Sequence, residues 1–512
     1  MKRIGLLLTA WMLCGRLLGQ SPDTYLVSDF AAEHFDRMLD LCGEAGLEGL
    51  LQRTPFSSYG HYQWNPDFAP EGDKSVAGMV AQASTRGVQL GIFAQQEAIS
   101  LNDAYFSPRY YPQLKRAAKV DLYHGIDAEQ GAFTVYPNAV FGQPSTLNLL
   151  WVEGEMIAYG TMEPAQESVI LYRCARGAYG TAASEHGPHA EAYKLWDAPG
   201  RFVAPDGALC DSVRWHLSQR IAAAGLRFVR YADAPGMNKV DVSVRVRQVE
   251  AWEQEARKTP GRADLANRPM SLGWFNIHPS EGRQPVTTLE ELEWFLAKAA
   301  AFDAGYGLVI DQATVRRHVL LDRMMVLVKA WNTVRDAGIL TEQQKEDLKD
   351  PYADWHLEPY GDDSFLLYPV RISRRYRCAA VKGPVCETWQ WKSSEKCSLA
   401  LSIEVQGKGE IRQPSIAIGA DTLRFPCTVK AGQQLFCGYN GTVRITDGDF
   451  NTLKEMTVEG LPVLPAGETE VTFTCEARAA DKAPEVRVRY QTRETPIPLL
   501  VPVKREPKGP MD

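Results

Sequence analysis

The stretch Ala224 to Gly236, AGLRFVRYADAPG, reads as a helix stop, a buried strand and a polar loop within thirteen residues. Upstream, Val213, Leu217, Ile221 and Ala224 recur at helical spacing, and Gly225 suits the left-handed position that ends such a helix. Leu226 to Tyr231 then predicts a short strand. In parallel α/β folds, chemistry gathers on the loops beyond the carboxyl ends of strands. Here that end carries Asp233, followed by Ala234, Pro235 and Gly236. Asp233 is therefore the first candidate for catalysis, and the plainer alternative is that it caps or hydrogen-bonds its own loop.

The same unit occurs twice upstream. Phe35, Met38, Leu39 and Cys42 share one face of a helix expected within Ser28 to Gly46, and Leu47 to Gln52 follows as a strand. The next loop, TPFSSYGHYQWNPDFAPEGD, holds His61, Tyr62, Trp64 and Asp67, and either walls a substrate site or packs on itself. A second helix, Lys74 to Arg86, turns Val76, Val80 and Ala83 toward the core and stops at Gly87. The strand Val88 to Phe93 leads into a loop with Glu97, Asn102, Asp103 and Tyr105. Three such units predict parallel α/β, with a (β/α)8 TIM-type barrel as the leading architecture.

Between Gly131 and Trp196 the rhythm changes to short alternating runs, which predicts a small β module inserted in the barrel. His186 and His189 fall there with no helix or cysteine pair to frame them, so no metal is expected. Further on, Gln248 to Arg257 is expected as a helix and Leu272 to Ile277, including Trp274, as a strand, with His278 and Glu281 on the loop beyond. Thr288 and Glu291 make a capping box. Gly307 to Ile310 reads as a late barrel strand ending at Asp311, which either caps the next helix or is catalytic, and Val315 to Val334 as one long helix. Residues 356–505 alternate apolar and polar positions between Gly, Pro and Asn turns, which predicts an antiparallel β-sandwich; the tail 506–512 is expected to fray.

At 512 residues, 45% hydrophobic and 23% charged, the chain has the composition of a globular protein of two or three domains. A net charge of -7 without any Lys/Arg-rich run gives no footprint for nucleic acid. Twelve Trp and twenty Tyr suit stacking on sugars, although such rings also fill cores. The opening MKRIGLLLTAWMLCGRLLGQ has basic residues, an apolar run from Ile4 to Cys14 and small residues near Gly19. It predicts an export signal cleaved near Gly19 and a periplasmic or secreted product. No later run is apolar and long enough to span a membrane. Nine cysteines would remain, open to disulfides after export or to a role as buried thiols.

Several blocks taken in order carry a resemblance. WNPDFAPEGDKSVAGMVAQASTRGVQLGIF is similar to a helix-to-strand passage in α-galactosidase-like (β/α)8 glycoside hydrolases. The chain also resembles a group of exported bacterial polysaccharide-degradation proteins of unassigned activity. Those proteins share a loop matched by Asn102, Asp103, Tyr105 and Pro108 and an inserted module matched by Arg176, Gly177, Gly180, Thr181, Ala182 and, with one residue of slack, His186. They also share a later passage matched by Leu272, Gly273, Trp274, Lys298, Ala299, Ala301, Asp303, Gly305 and Tyr306. Where that clan places an aspartate at a strand end, this chain reads Tyr231-Ala232-Asp233-Ala234, one position later, and such a shift turns a strand side chain to the opposite face.

Glycosidic hydrolysis needs two carboxyl groups, one an acid and one a nucleophile or base. Asp233 is assigned one role, and Glu281, then Asp311, the acid. His61, Trp64, Glu97, Asn102, Asp103, Tyr105, Trp274 and His278 are expected to contact a carbohydrate substrate, with no cofactor. A carbohydrate-binding barrel without catalysis is the alternative, and a polysaccharide lyase a further one. Oligomeric state, sugar and linkage are not legible.

Overall fold

A computed structural model describes residues 23–107, 113–142, 147–198, 201–230, 236–237, 242–258, 270–281, 284–361, 363–378, 383–460, 463–478 and 484–502. Residues 1–22, where the export signal is expected, and Pro108 and Asp233 lie outside the described residues. Two compact units are present. The first takes in Asp29–Leu39 and Leu50–Asp233, the second Asp23–Ser28, Asp40–Gly49 and Ala234–Asp512.

In the first unit Phe228–Arg230 pairs parallel with Gln89–Phe93, placing Arg230 opposite Phe93, and Gly49–Gln52 lies on the other side of Gln89–Phe93. Two helices flank these strands in sequence. Asp73–Thr85 buries Val76, Met79, Val80 and Ala83. Ala208–Ala224 buries Leu209, Val213, Leu217, Ile221 and Ala224, the one stripe that its 3.6-residue period aligns, and ends at Gly225 with φ 62°.

The β module of this unit is two antiparallel sheets. One runs Arg116–Val120, Ala192–Leu195, Leu149–Val152, Glu155–Ala158, and the other Thr161–Pro164, Val169–Tyr172, Ala132–Val135. Phe133, Val135, Leu150, Val152, Ile157 and Leu171 fill its core. Its sheet thus begins ahead of Gly131, at Arg116. RAAKV has no apolar alternation of its own, and pairing with Ala192–Leu195 makes it a strand.

In the second unit Thr24–Ser28 pairs parallel with Gly305–Ile310, which pairs parallel with Ser271–Ile277. Ser28 therefore closes a wholly buried strand, TYLVS, and the following helix is Phe35–Ala45. A run this short, buried at all five positions, has no periodicity to distinguish it from the start of a helix. Leu289–Ala301 begins with the expected Thr288/Glu291 capping box. The expected long helix divides into Gln312–Arg317 and Leu321–Asp336, because His318 turns to φ -88°, ψ 97° with its Nε2 3.1 Å from Thr287 O.

From Asp354 to Leu500 the described chain is antiparallel. One sheet is built on Glu485–Arg493 beside Cys397–Gln406, the other on Gly467–Arg478 beside Gly383–Ser393 and Glu410–Ile418. Leu399, Leu401, Ile403 and Val405, at every second position, meet Ile416, Val471 and Phe473 in a common core. The fold is accordingly mixed α/β with parallel strands, followed by a large antiparallel region. All nine described cysteines are free, and burial raises the thiols of Cys42, Cys378 and Cys475 to about 12. These three serve as small apolar residues. No described helix is long and apolar enough to cross a membrane.

Candidate functional site

Two loops of the first unit, one after Gly49–Gln52 and one after Gln89–Phe93, converge on Asp103. Its carboxylate is completely buried. Oδ2 accepts from Ser58 Oγ at 3.0 Å and His61 N at 2.9 Å, and Oδ1 accepts from Tyr105 N at 3.0 Å. His61 Nδ1 lies 2.7 Å from Oδ1. With four donors on one carboxylate, the anion is held in place and in turn holds the imidazole.

The His61 ring stacks on Tyr105, centroids 4.1 Å apart and planes at 23°. Tyr105 OH lies 3.1 Å from Nε2 of His216, which the helix Ala208–Ala224 contributes. His216 also sits 4.6 Å from the His61 ring. Burial, then the neighbouring His61, lowers the His216 pKa from its ordinary value, while Asp103 opposes the shift. A neutral imidazole at pH 7 follows. Exposed Trp215 edges the His216 ring at 5.0 Å. His216 was not legible in the sequence. The only signal is that His216 and Arg220 lie one turn apart, on a face adjoining the buried stripe Val213, Leu217, Ile221.

The remaining expected residues of this unit are placed as follows. Glu97 is bonded by Arg214 of the same helix. Asn102 donates to Ser57 O at 3.2 Å. Trp64 lies in an aromatic cluster with Phe56 and Phe68, and its indole N–H donates to Asp73 Oδ1 at 2.6 Å. Arg220 completes that contact, 3.2 Å from Asp73 Oδ2.

In the second unit, Ile277 and Ile310 are register partners at the ends of parallel strands, and His278 and Asp311 immediately follow them. Asp311 caps Gln312–Arg317, its Oδ1 accepting from Thr314 N and Oγ1, both at 2.7 Å. His278 Nε2 accepts from Gln284 Nε2 at 2.9 Å, so its Nδ1 donates to Pro279 O at 3.1 Å. Glu281 is exposed on a turn closed with Gln284. Trp274 is buried, donating to Tyr25 OH at 2.9 Å.

Two quoted sequence blocks turn out to hold the fold. Arg176 grips buried Glu155 through Nε and Nη2, each at 2.8 Å, and His186 Nε2 lies 2.8 Å from the same carboxylate. Burial acts to raise the Glu155 pKa, but Arg176, the Gly177 and Ser184 N–H groups and His186 together bring it down to about 2. Lys298 is fully buried and donates to the carbonyls of Leu348 and Asp350, securing the end of Glu342–Lys349. Tyr306 OH donates to Asn332 Oδ1 at 2.8 Å. No group of three or more His, Cys, Asp or Glu that could hold a metal occurs among the described residues.

The chain matches no family profile, and no curated protein sequence matches it. Among solved structures it is similar to the α-galactosidase of Lactobacillus brevis, at 11% identity and TM-score 0.33, over 90% of this chain and 56% of that one. The chain thus spans about half the length of that enzyme. It is also similar to an α-amylase from Geobacillus thermoleovorans, 9% identical with TM-score 0.31 over 89% and 99% of the two chains. For the isomalto-dextranase of Arthrobacter globiformis T6 the values are 9% and 0.26, over 93% and 97%. Likeness at this level fixes neither activity nor substrate.

Proposed function

We propose that the chain is an exported glycoside hydrolase acting on a poly- or oligosaccharide, on a (β/α)8 barrel with an inserted β module and a C-terminal β-sandwich. One observation supports this most: where parallel strands pair, candidate residues follow their carboxyl ends. Arg230, three residues before Asp233, is the register partner of Phe93, whose following loop carries Glu97, Asp103 and Tyr105. Ile277 and Ile310, register partners likewise, precede His278, Glu281 and Asp311. In parallel α/β enzymes those ends are where ligands bind and react. Asp233 is assigned as a catalytic carboxylate and Glu281 as the acid. Asp311 ranks second because both its contacts are those of a helix cap. Reducing-end release from a panel of plant, algal and host glycans tests the activity. Binding to some glycans without release would replace the reading with a carbohydrate-binding barrel.

A further inference from the structure

The carboxylate reading leaves the best-built device of the first unit without a task. Asp103 is buried, and its acceptor positions are taken by Ser58, His61 N and Tyr105 N, so the contact with His61 Nδ1 at 2.7 Å requires a proton on Nδ1. A neutral His61 is then the tautomer with a lone pair on Nε2. That nitrogen has no hydrogen-bond partner among the described residues, and the side chain is 30% exposed. Stacking on Tyr105 fixes the ring plane. A buried carboxylate that fixes a histidine tautomer and steadies its imidazolium is the arrangement by which a histidine serves as a general base.

We propose that His61 is the proton-accepting residue of this site, with Asp103 as its positioning residue, and that the proton comes from a water attacking an anomeric carbon. This rests on the hydrolase reading. The water O–H bond breaks, its proton passes to Nε2, and the oxygen's electron pair forms the new bond to the anomeric carbon. The bond from that carbon to the leaving oxygen breaks, and the leaving oxygen takes a proton from the acid carboxyl. His61 then releases its proton to solvent, which also restores the acid. The groups facing His61 are Asp103 and Tyr105 from the loop after Gln89–Phe93 and His216 from Ala208–Ala224, with Arg220 acting on His216.

The test combines pH–rate profiles on a cleaved glycan with nitrogen-15 NMR of the imidazoles in the full chain. His61→Gln is expected to lower kcat by about a hundredfold or more with KM little changed. Asp103→Asn is expected to lower kcat and to leave neutral His61 as a mixture of the two tautomers in the nitrogen-15 spectrum. Wild-type His61 is expected as the Nδ1–H tautomer when neutral. An Nε2–H tautomer would overturn the proposal whether or not a substrate has been found, and needs no variant to fold. Full kcat in folded His61→Gln would overturn it too. Loss of turnover in Asp233→Asn alongside full activity in His61→Gln would leave the carboxylate reading standing without it. Absence of any cleaved glycan would remove the hydrolase reading, and with it the step assigned to His61.

Discussion

Gly60 passes so close to Asp103 that a Cβ built on it would stand 2.6 Å from Oδ1. Its φ of +116° is one that side chains rarely adopt, and the next residue, His61, is the one that the carboxylate holds. Strain and close approach coincide at the site and not in a remote turn. Gly60→Ala should therefore destabilise the first unit by about 1–3 kcal/mol and loosen the His61–Asp103 contact. Thermal unfolding and loss of the protected His61 Nδ1–H resonance check this; an unchanged melting temperature would contradict it.

The Glu155 clasp predicts an acid response. Its folded-state value of about 2 lies below the ordinary 4.5, so the folded chain releases a proton that the unfolded chain still binds between those values. The stabilisation is present in full above about pH 4.5 and is lost as pH falls toward 2. Glu155→Gln should lower the melting temperature at pH 7 and remove this part of the acid dependence. Arg176→Met should do more harm, since it leaves a buried carboxylate without its cation.

Lys298 gives a slope of the same sign in a higher pH window. Burial holds its ammonium down to about 7, against an ordinary 10.5, with Asp354 opposing the shift. Between those values the unfolded chain binds the extra proton, so stability rises with pH across the window. Lys298→Met should abolish that rise and leave the Leu348 and Asp350 carbonyls without their donor, each at a cost of about 1–3 kcal/mol. Melting curves from pH 7 to 10 of both proteins make the comparison.

Asp233→Asn separates chemistry from loop structure. A catalytic carboxylate implies an intact fold, retained glycan binding and turnover reduced about a hundredfold or more. A purely structural Asp233 implies nearly intact turnover and a loss of about 1 kcal/mol in stability.

Local rules carried much of the organisation. The stripe from Val213 to Ala224 and its left-handed Gly225, the capping box at Thr288 and the alternating core positions around Leu401 are short-range patterns that dictate helix, stop and strand directly. The order of the candidate loops and the carboxyl-end positions of Glu97, Asp103, Glu281 and Asp311 were legible in the same way. Tertiary structure decided what lacks a local period. Arg116–Val120 becomes a strand through its partner Ala192–Leu195, and the helix expected over Val315–Val334 breaks where His318 meets Thr287. His216 enters the site from 111 positions beyond Tyr105. Asp103, one carboxylate among 63 acidic residues, is singled out by burial and four donors. Periodicity encodes which face of an element is inward, whereas the meeting of distant side chains depends on packing that no short stretch of sequence contains.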